Sequence, residues 1–324
     1  MGGEPGSVAG VLVLYHGDAG SRQRARFEEV GRAHDLRIEV CAPTDVERFE
    51  ALLPEVEVWW HVLTPIDAAQ MDRAPRLRLI HKWGVGVNTI DLGAAAARGV
   101  AVTNMPGSNA AAVTESALLL MLSVLRRLPT HHRATVEGSG WQVPVAVGEQ
   151  CGELAGRTVG LVGYGDIGQR LASVLTALGA TVVHHSRRSD RPGWMPLDDL
   201  LAAGDVVSLH VPLTPETDGL LDERRIGLLR PGAVLVNTAR GGLVDLDALD
   251  AALAAGRLGG AGLDVFGDEP HRGVLDHPIF ARPEVVATPH VAWLTWETLE
   301  RSLDLAVANA VALRAGEALA DRVV

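Results

Sequence analysis

Short apolar or β-branched runs alternate with alanine- and leucine-rich stretches from one end of the chain to the other. This alternation is typical of α/β layers built around parallel sheets. A first series predicts strands at residues 11–15, 37–41, 56–61, 77–82 and 100–103. After the turn-forming Asn104-Met105-Pro106-Gly107 cluster, the pattern predicts a helix over residues 109–128 that Pro129 ends. Because this helix is apolar on most sides, we expect it to be buried between domains or subunits.

A second α/β series begins at residue 158. It predicts strands at 158–162, 181–185, 206–209, 234–237, 260–264 and 285–287, and helices at 167–178, 197–203, 223–229 and 246–255. One more helical pattern, residues 296–313, lies beyond the second sheet and is expected to return to the first domain. We therefore expect two Rossmann or flavodoxin-like parallel-sheet domains, with the first domain discontinuous in sequence.

Composition narrows the class of protein. The chain has 324 residues, a net charge of −11 and two cysteines, Cys41 and Cys151, outside any CxxC pattern. Isolated cysteines argue against a disulfide scaffold or a cysteine-based zinc site, so we expect a cytoplasmic protein. The acidic balance disfavours nucleic acid and anionic membranes as partners. No apolar run reaches the length of about 18 residues that a membrane span needs.

The segment Gly163-Tyr164-Gly165-Asp166-Ile167-Gly168 matches GxGxxG between a predicted strand and a predicted helix. A second strand returns within about 30 residues, as a dinucleotide-binding βαβ unit requires. Glycines there allow a tight turn, close approach to a pyrophosphate and packing of the helix on the sheet. The helix N-terminus then offers N–H groups to the anion. The pattern predicts a nicotinamide dinucleotide site.

The second strand of this unit ends in His184-His185-Ser186-Arg187-Arg188 rather than in an acidic residue. A carboxylate at this position would bind the ribose hydroxyls of NAD and repel a 2′-phosphate. The hydroxyl of Ser186 and the guanidinium groups of Arg187 and Arg188 can instead bind that phosphate. We therefore predict that NADP is preferred over NAD, which remains a possible cofactor.

Three further segments each contain a strand end or the loop after it: Asn237–Gly242, Gly262–Pro270 and Thr288–Trp293. Ligands of open parallel sheets bind at the carboxyl ends of the strands. Arg240, Glu269 and His290 are therefore expected to converge on one cleft. Other chemistries have less support, because the chain contains no HExxH or GxSxG motif, and no metal site is predicted.

Together with Gly84-Val85-Gly86-Val87-Asn88, these segments resemble the D-isomer-specific 2-hydroxyacid dehydrogenase family. The resemblance, to glyoxylate and hydroxypyruvate reductases in particular, implies a substrate domain made of residues 1–103 and 291–324 around a dinucleotide-binding domain at 104–290. It implies that Val85, Gly86 and Trp293 bind substrate and that Asp264 accepts a bond from the nicotinamide carboxamide. It also implies cofactor contacts at Asp166, Ile167, Val211, Thr238 and Ala239.

Reduction of a 2-oxo acid needs a hydride, a proton for the carbonyl oxygen and positive groups for the carboxylate. His290 suits the proton role because imidazole titrates near neutrality, and Glu269 can orient it. Arg240 can hold the carboxylate and polarise the carbonyl. The resemblance assigns the same roles. We therefore expect an NAD(P)-dependent oxidoreductase that interconverts a small 2-oxo acid, such as glyoxylate or hydroxypyruvate, and its D-2-hydroxy acid.

Two alternatives stay open at the level of sequence. Formate and phosphite dehydrogenases share the implied architecture. However, formate enzymes of this fold have glutamine at the position of Glu269, and phosphite enzymes have lysine at the position of Val85. A dinucleotide-sensing protein similar to the C-terminal binding proteins is the other alternative, and Trp293 also fits it. The apolar 109–128 helix further predicts a homodimer.

Overall fold

The computed structural model describes residues 10–142, 144–267, 269 and 275–324. The chain divides into two compact units. The first consists of the residues up to Ser108 together with Trp296–Val324, and the second of Asn109–Thr295. The assignment of 1–103 and 291–324 to substrate and of 104–290 to the dinucleotide stays a prediction, and residues 1–9 lie outside the described part.

Regular structure alternates between strand and helix as the sequence pattern predicts. The strands are β1 (Val11–His16), β2 (Leu36–Cys41), β3 (Val58–His61), β4 (Leu79–Lys82), β5 (Ala101–Thr103), β6 (Thr158–Val162), β7 (Thr181–His185), β8 (Val206–Leu209), β9 (Val234–Asn237), β10 (Gly260–Leu263) and β11 (Val285–Ala287). The helices are α1 (Ser21–His34), α2 (Val46–Leu52), α3 (Ala68–Asp72), α4 (Leu92–Ala97), α5 (Ala110–Leu125), α6 (Leu128–Val136), α7 (Val145–Glu149), α8 (Asp166–Ala177), α9 (Leu197–Ala203), α10 (Glu223–Leu228), α11 (Leu246–Ala254) and α12 (Trp296–Ala315).

The first unit is a parallel sheet in the order β2-β1-β3-β4-β5. Alternate residues of β1 enter two different cores: Val13 and Tyr15 face one, and Leu12 and Leu14 face the other. Both faces are thus buried, as in other parallel sheets covered by helices. Helix α12 packs on β1 and β4, so this unit is built from both ends of the chain.

The second unit is a parallel sheet in the order β11-β10-β9-β8-β6-β7. The chain starts at β6, moves outward to β7, and then returns to β8 on the other side of β6. Such a reversal opens a crevice at the carboxyl ends of the strands, where ligands of α/β sheets bind. The glycine loop follows β6 at this point. Two parallel-sheet α/β units, one of them discontinuous, confirm the predicted fold class.

The helix predicted over 109–128 is shorter than expected and is followed directly by another. Helix α5 ends at Leu125, and Arg127 has a left-handed φ of +51°. Pro129 then lies in the first turn of α6 instead of after the end of a helix. The physical reason is that proline has no N–H to lose in a first turn and its fixed φ suits that position.

A buried polar network joins β4, β5 and α12 of the first unit. The ring of His81 is fully buried, with Nδ1 2.6 Å from the Thr103 hydroxyl and 3.3 Å from Asn309 Nδ2. Asn309 also binds the backbone of Ala320 and so holds the C-terminal tail. The Asn309 amide can only donate, so its contact requires an Nδ1 without a proton, as in a neutral ring.

This network predicts acid sensitivity. Burial lowers the pKa of His81 to about 3, whereas the unfolded chain has the ordinary value of about 6.5. The unfolded state therefore binds the proton first, and stability present above about pH 6.5 is lost as the pH falls, by about 1.4 kcal/mol per pH unit for each such histidine. The free energy of unfolding can be measured with urea at a series of pH values. Its slope against pH should be shallower by about 1.4 kcal/mol per pH unit in His81→Asn, which lacks the titrating group, and unchanged in His34→Asn, at an exposed position. Equal slopes in all three proteins would contradict this.

Candidate active site

The glycine loop joins β6 to α8 in the second unit. Gly163 has a φ of +105°, and a Cβ there would overlap the carbonyl of His210. A Cβ at Gly168 would overlap the carbonyl of Gly163, so both positions need glycine on steric grounds. At Gly165, by contrast, a Cβ would meet no other atom within 4 Å. The second glycine leaves open space, which fits the close approach of a pyrophosphate.

Helix α8 begins at this loop. Gly165 is its N-cap residue and offers no side chain to the first N–H groups, which belong to Asp166, Ile167 and Gly168. Uncapped N–H groups at a helix start bind anions. The Thr238 hydroxyl, just after β9, is buried without a hydrogen-bond partner among the described residues. This orphaned hydroxyl and the open glycine loop fit a bound dinucleotide. Two other predicted cofactor contacts are half-buried, Val211 beside the Gly163 turn and Ala239 after Thr238.

The predicted ribose-phosphate loop follows β7. The Ser186 hydroxyl donates to the carbonyl of Arg188 at 2.9 Å, and the Trp194 indole donates to the carbonyl of Ser186 at 2.9 Å. These bonds close the loop on itself, with Arg187 and Arg188 exposed to solvent. A third guanidinium, that of Arg191, lies 5.8 Å from the ring centroid of Tyr164 in the glycine loop.

Tyr164 is fixed in turn by His184, the residue before the end of β7. Their rings stack with centroids 3.8 Å apart and planes within 8° of parallel. Burial lowers the pKa of His184, so the ring is neutral at physiological pH. The stack connects the glycine loop to the strand that carries the Ser186–Arg188 loop. Arg191 and Tyr164 had not been singled out from sequence, although Arg191 is the next basic residue after Arg188.

Arg240, Glu269 and His290 follow three neighbouring strands, β9, β10 and β11. The segment after β9 is held by Asn237, whose side chain accepts from Ala239 N–H at 3.0 Å and donates to the Arg240 carbonyl at 2.8 Å. Arg240 is half-buried, and burial lowers the pKa of its guanidinium, while the charge of Glu269 acts in the opposite direction. The guanidinium therefore lies within electrostatic range of Glu269.

Glu269 joins its own segment to His290. One carboxylate oxygen accepts from the Phe266 N–H at 2.7 Å, and the other contacts His290 Nδ1. The side chains of Glu269 and His290 are only 17% and 18% exposed, so little water screens the pair. With Nδ1 directed at Glu269, Nε2 is the ring atom left to face a ligand.

The backbone of His290 has a left-handed φ of +55°. Its N–H donates to the Asp264 carbonyl at 2.7 Å, and its own carbonyl accepts from the Trp293 indole at 3.1 Å. Histidine tolerates this conformation better than most residues, and such strain persists where surrounding bonds over-determine it. Trp293, predicted to bind substrate, thus contacts His290 through its indole N–H.

Asp264 holds the rest of this segment. Its buried carboxylate accepts from the Thr288 hydroxyl at 2.5 Å, from Val291 N–H at 3.0 Å and from Ala292 N–H at 2.9 Å. Burial raises the pKa of Asp264, and these bonds oppose that effect. The carboxylate therefore fixes the turn around His290, and its predicted contact with a nicotinamide carboxamide stays a prediction.

Val85 and Gly86, predicted to bind the substrate carboxylate, lie in the first unit, after β4. Val85 is 43% exposed, so the tip of this loop is open to solvent. In the second unit, Glu269 and His290 are in contact, and Arg240 is near enough for the charge of Glu269 to act on it. The roles of all these residues stay predictions.

Comparison with known proteins places the chain in a family. Residues 118–292, more than half of the chain, match the description "D-isomer specific 2-hydroxyacid dehydrogenase, NAD binding domain". The glyoxylate reductase of Thermococcus litoralis is 35% identical over 269 residues, which cover 79% of this chain and 80% of that protein. The chain belongs to the D-isomer-specific 2-hydroxyacid dehydrogenase family.

Other members of the family are similar over most of this chain. The D-3-phosphoglycerate dehydrogenase of Mycobacterium tuberculosis is 40% identical over 288 residues, 86% of this chain but 53% of that protein. The chain thus spans about half the length of these curated dehydrogenases. The structure of D-lactate dehydrogenase from Aquifex aeolicus, complexed with NAD and lactic acid, has a TM-score of 0.82 and 30% identity, covering 94% of this chain and 96% of that one.

Two kinds of feature are absent from the described residues. No helix there is long and apolar enough to cross a membrane. No cluster of three or more histidine, cysteine, aspartate or glutamate side chains that could hold a metal ion occurs in the same part of the chain.

Some contributors to the site of this family member were not identified from sequence. Asn237 binds the Arg240 carbonyl. Thr288 binds the Asp264 carboxylate, which fixes the turn around His290. The Phe266 N–H binds the Glu269 carboxylate. A signal was present for Asn237, because an asparagine at a strand end can close a turn on the N–H two residues later. Thr288 carries no such signal because its partner, Asp264, is distant in sequence. The Phe266 donor is a backbone N–H, a group that every residue except proline has, so its residue type gives no signal either.

Proposed function

We propose that this chain is a reductase that interconverts a small 2-oxo acid and its D-2-hydroxy acid. In the reducing direction, the oxo acid, NADPH and a proton give the hydroxy acid and NADP⁺. The contact between Glu269 and His290, with Arg240 in electrostatic range, carries the proposal. In this arrangement His290 is the proton donor, Glu269 is the carboxylate that orients it, and Arg240 is the cation that binds the substrate carboxylate. All three residues follow adjacent strands.

The chain's own residues perform three tasks. Arg240 binds the substrate carboxylate and polarises the carbonyl with its planar donors. His290 donates the proton of Nε2 to the carbonyl oxygen, and Glu269 holds the ring in that orientation through Nδ1. A bound dihydronicotinamide would supply the hydride. Burial of Arg240 strengthens its interaction with an anionic ligand, because fewer waters compete for its donors.

Glyoxylate and hydroxypyruvate are the proposed substrates. Relatives that bear the names glyoxylate reductase and hydroxypyruvate reductase are 35% and 30% identical to this chain. The relatives named D-3-phosphoglycerate dehydrogenase, at 40% identity, make 3-phosphohydroxypyruvate the second candidate.

The deciding experiment is a panel of acids run in parallel with NADPH and NADH. It contains glyoxylate, hydroxypyruvate, pyruvate and 3-phosphohydroxypyruvate, and formate and phosphite are tested in the oxidising direction with NADP⁺ and NAD⁺. We expect turnover of a 2-oxo acid. Turnover of formate or phosphite alone would favour those dehydrogenases, although Glu269 and Val85 argue against them. Tight NADPH binding with no turnover of any acid would favour a dinucleotide-sensing protein and overturn the proposal.

We further propose that NADP is the preferred cofactor, because Arg187 and Arg188 are exposed on a loop closed by Ser186. The Arg187→Ala and Arg188→Ala double variant should lower kcat/KM for NADPH by roughly 10- to 100-fold, as expected for lost charge-assisted bonds, with NADH little affected. Arg170→Ala with Arg224→Ala removes the same charge from the same unit and should leave the ratio unchanged. An unaltered NADPH-to-NADH preference in the first variant would show that no phosphate binds there.

The proposed partner is a second copy of the chain. Large apolar side chains are exposed on α5 and on the segments that follow it: Leu119, Leu122, Leu128, Val136, Trp141 and Val145. Exposed apolar surface of this extent is typical of an interface. Light scattering at micromolar concentration should give the mass of a dimer. Leu119→Asp should shift the mass toward the monomer, whereas Val46→Asp, at a similarly exposed valine of the first unit, should not. A monomeric wild type would refute the proposal.

The proposed compartment is the cytosol. Cys41 and Cys151 are both free thiols in the structure. Free thiols are the usual state in reducing compartments.

A further inference from the structure

The loop Gly84-Val85-Gly86 is bound on one side by the segment that follows β5. The backbone N–H of Met105 donates to the Gly84 carbonyl at 3.0 Å. The side-chain amide of Asn104 donates to the Val85 carbonyl at 2.8 Å. Two successive carbonyls of the loop are therefore directed at residues 104 and 105.

The direction of the carbonyls determines that of the N–H groups. In a trans peptide the N–H points opposite to the C=O of the same peptide plane. The Gly84 carbonyl shares its plane with the Val85 N–H, and the Val85 carbonyl shares its plane with the Gly86 N–H. Both N–H groups consequently point away from Asn104 and Met105. Two successive backbone N–H groups on one side form the kind of concavity that binds anions.

The base of the loop is fixed by different contacts. The Trp83 N–H donates to the His61 carbonyl at 2.8 Å, and the Lys82 ammonium contacts the Val62 carbonyl. Lys82 is buried, and it is the one lysine in the sequence. These bonds anchor the end of β4 to the neighbouring strand β3. They involve residues 82 and 83, whereas the carbonyl of the peptide between Val85 and Gly86 accepts from Asn104.

We propose that Asn104 is a positioning residue for carboxylate recognition. Its amide keeps the Val85–Gly86 peptide turned so that the Gly86 N–H faces the carboxylate of the 2-oxo acid. The inference rests on the proposed function and on the prediction that Val85 and Gly86 bind the substrate carboxylate. Asn104 itself touches the loop and not the substrate. Without its bond, the peptide is free to rotate and present its carbonyl, which repels an anion.

The test compares a charged and an uncharged substrate in two variants. Asn104→Ala removes the amide, and Asn104→Asp keeps its shape but replaces the donor with an acceptor. For a 2-oxo acid, kcat/KM should fall by roughly 10- to 100-fold, mainly through KM, as for a lost hydrogen bond to a charged group. For the primary amide of the same acid, which carries no charge, the decrease should be less than about threefold. The dissociation constant of NADPH and the melting temperature should remain near those of the wild type.

The control is Gln150→Glu, an amide-to-acid change at an exposed position of the second unit, which should leave both substrates unaffected. A parallel decrease for acid and amide in the Asn104 variants would indicate a merely structural role and overturn the inference.

Binding of oxamate, a carboxylate that is not reduced, separates this inference from the proposed function. Calorimetry should show weaker oxamate binding in both Asn104 variants, whether or not the wild type turns over. A wild type that binds oxamate but reduces no 2-oxo acid would contradict the proposed function alone. Unchanged oxamate affinity in the variants, or no oxamate binding by the wild type, would overturn the inference.

Discussion

Replacement of His290 by asparagine is expected to lower kcat for 2-oxo acid reduction by roughly 100- to 10,000-fold, the usual contribution of a general acid. Asparagine tolerates the left-handed φ of +55° at this position, so the turn should persist. The side chain can still hydrogen-bond but supplies no proton at neutral pH. Because the predicted cofactor contacts lie on other segments, the dissociation constant of NADPH should stay unchanged. Steady-state kinetics and fluorescence titration measure the two quantities.

A second histidine–carboxylate pair provides the matched control. His277 Nε2 lies 3.1 Å from an Asp247 carboxylate oxygen in the same unit. His277→Asn should leave kcat within about twofold of the wild type, as expected for an exposed pair. The double variant of His290→Asn with Glu269→Gln should be no slower than His290→Asn alone, since groups that act as a unit are not additive. A His290→Asn enzyme with undiminished kcat would remove His290 from the mechanism.

The placement of Arg240, Glu269 and His290 after neighbouring strands could be predicted because it depends on topology. Each residue follows a parallel strand, and the carboxyl ends of parallel strands lie at one edge of a sheet. The structure places β9, β10 and β11 side by side, so the segments after them are neighbours. The same rule applies to the glycine loop after β6. Hydrophobic periodicity was sufficient for these elements, because buried parallel strands appear as short apolar runs.

The conformations of the connecting segments could not be predicted in the same way. The left-handed φ of His290 depends on bonds from Trp293 and to Asp264, and the carboxylate of Asp264 is used to hold residues 288–292. The Asp264 contacts join residues that are far apart in sequence, so no local pattern reports them. The break between α5 and α6 is similar. Pro129 is compatible both with the end of a helix and with the start of one. The left-handed φ of Arg127 interrupts the helix before it, so Pro129 lies in the first turn of α6.

Replacement of Gly241 by alanine is expected to abolish the proposed activity without any change to a side chain of the site. Gly241 directly follows Arg240, and a Cβ on it would overlap the carbonyl group of Phe266. One of the two segments must therefore shift. Phe266 donates its N–H to Glu269, so the shift separates Arg240 from the Glu269–His290 pair. Because a displacement of about 1 Å in a catalytic constellation costs about 100-fold in rate, we expect at least that loss in kcat/KM.

Gly227→Ala is the matched control for this variant. Gly227 lies in α10 of the same unit, and a Cβ there meets no other atom within 4 Å. Alanine is a better helix former than glycine by about 1 kcal/mol, so this change should preserve activity and slightly raise the melting temperature. For Gly241→Ala, the melting temperature should fall less than activity does, since the collision lies in half-buried segments after β9 and β10 and not within the strands themselves. Wild-type kcat/KM in Gly241→Ala would mean that the close approach of these two segments does not determine the geometry of the site.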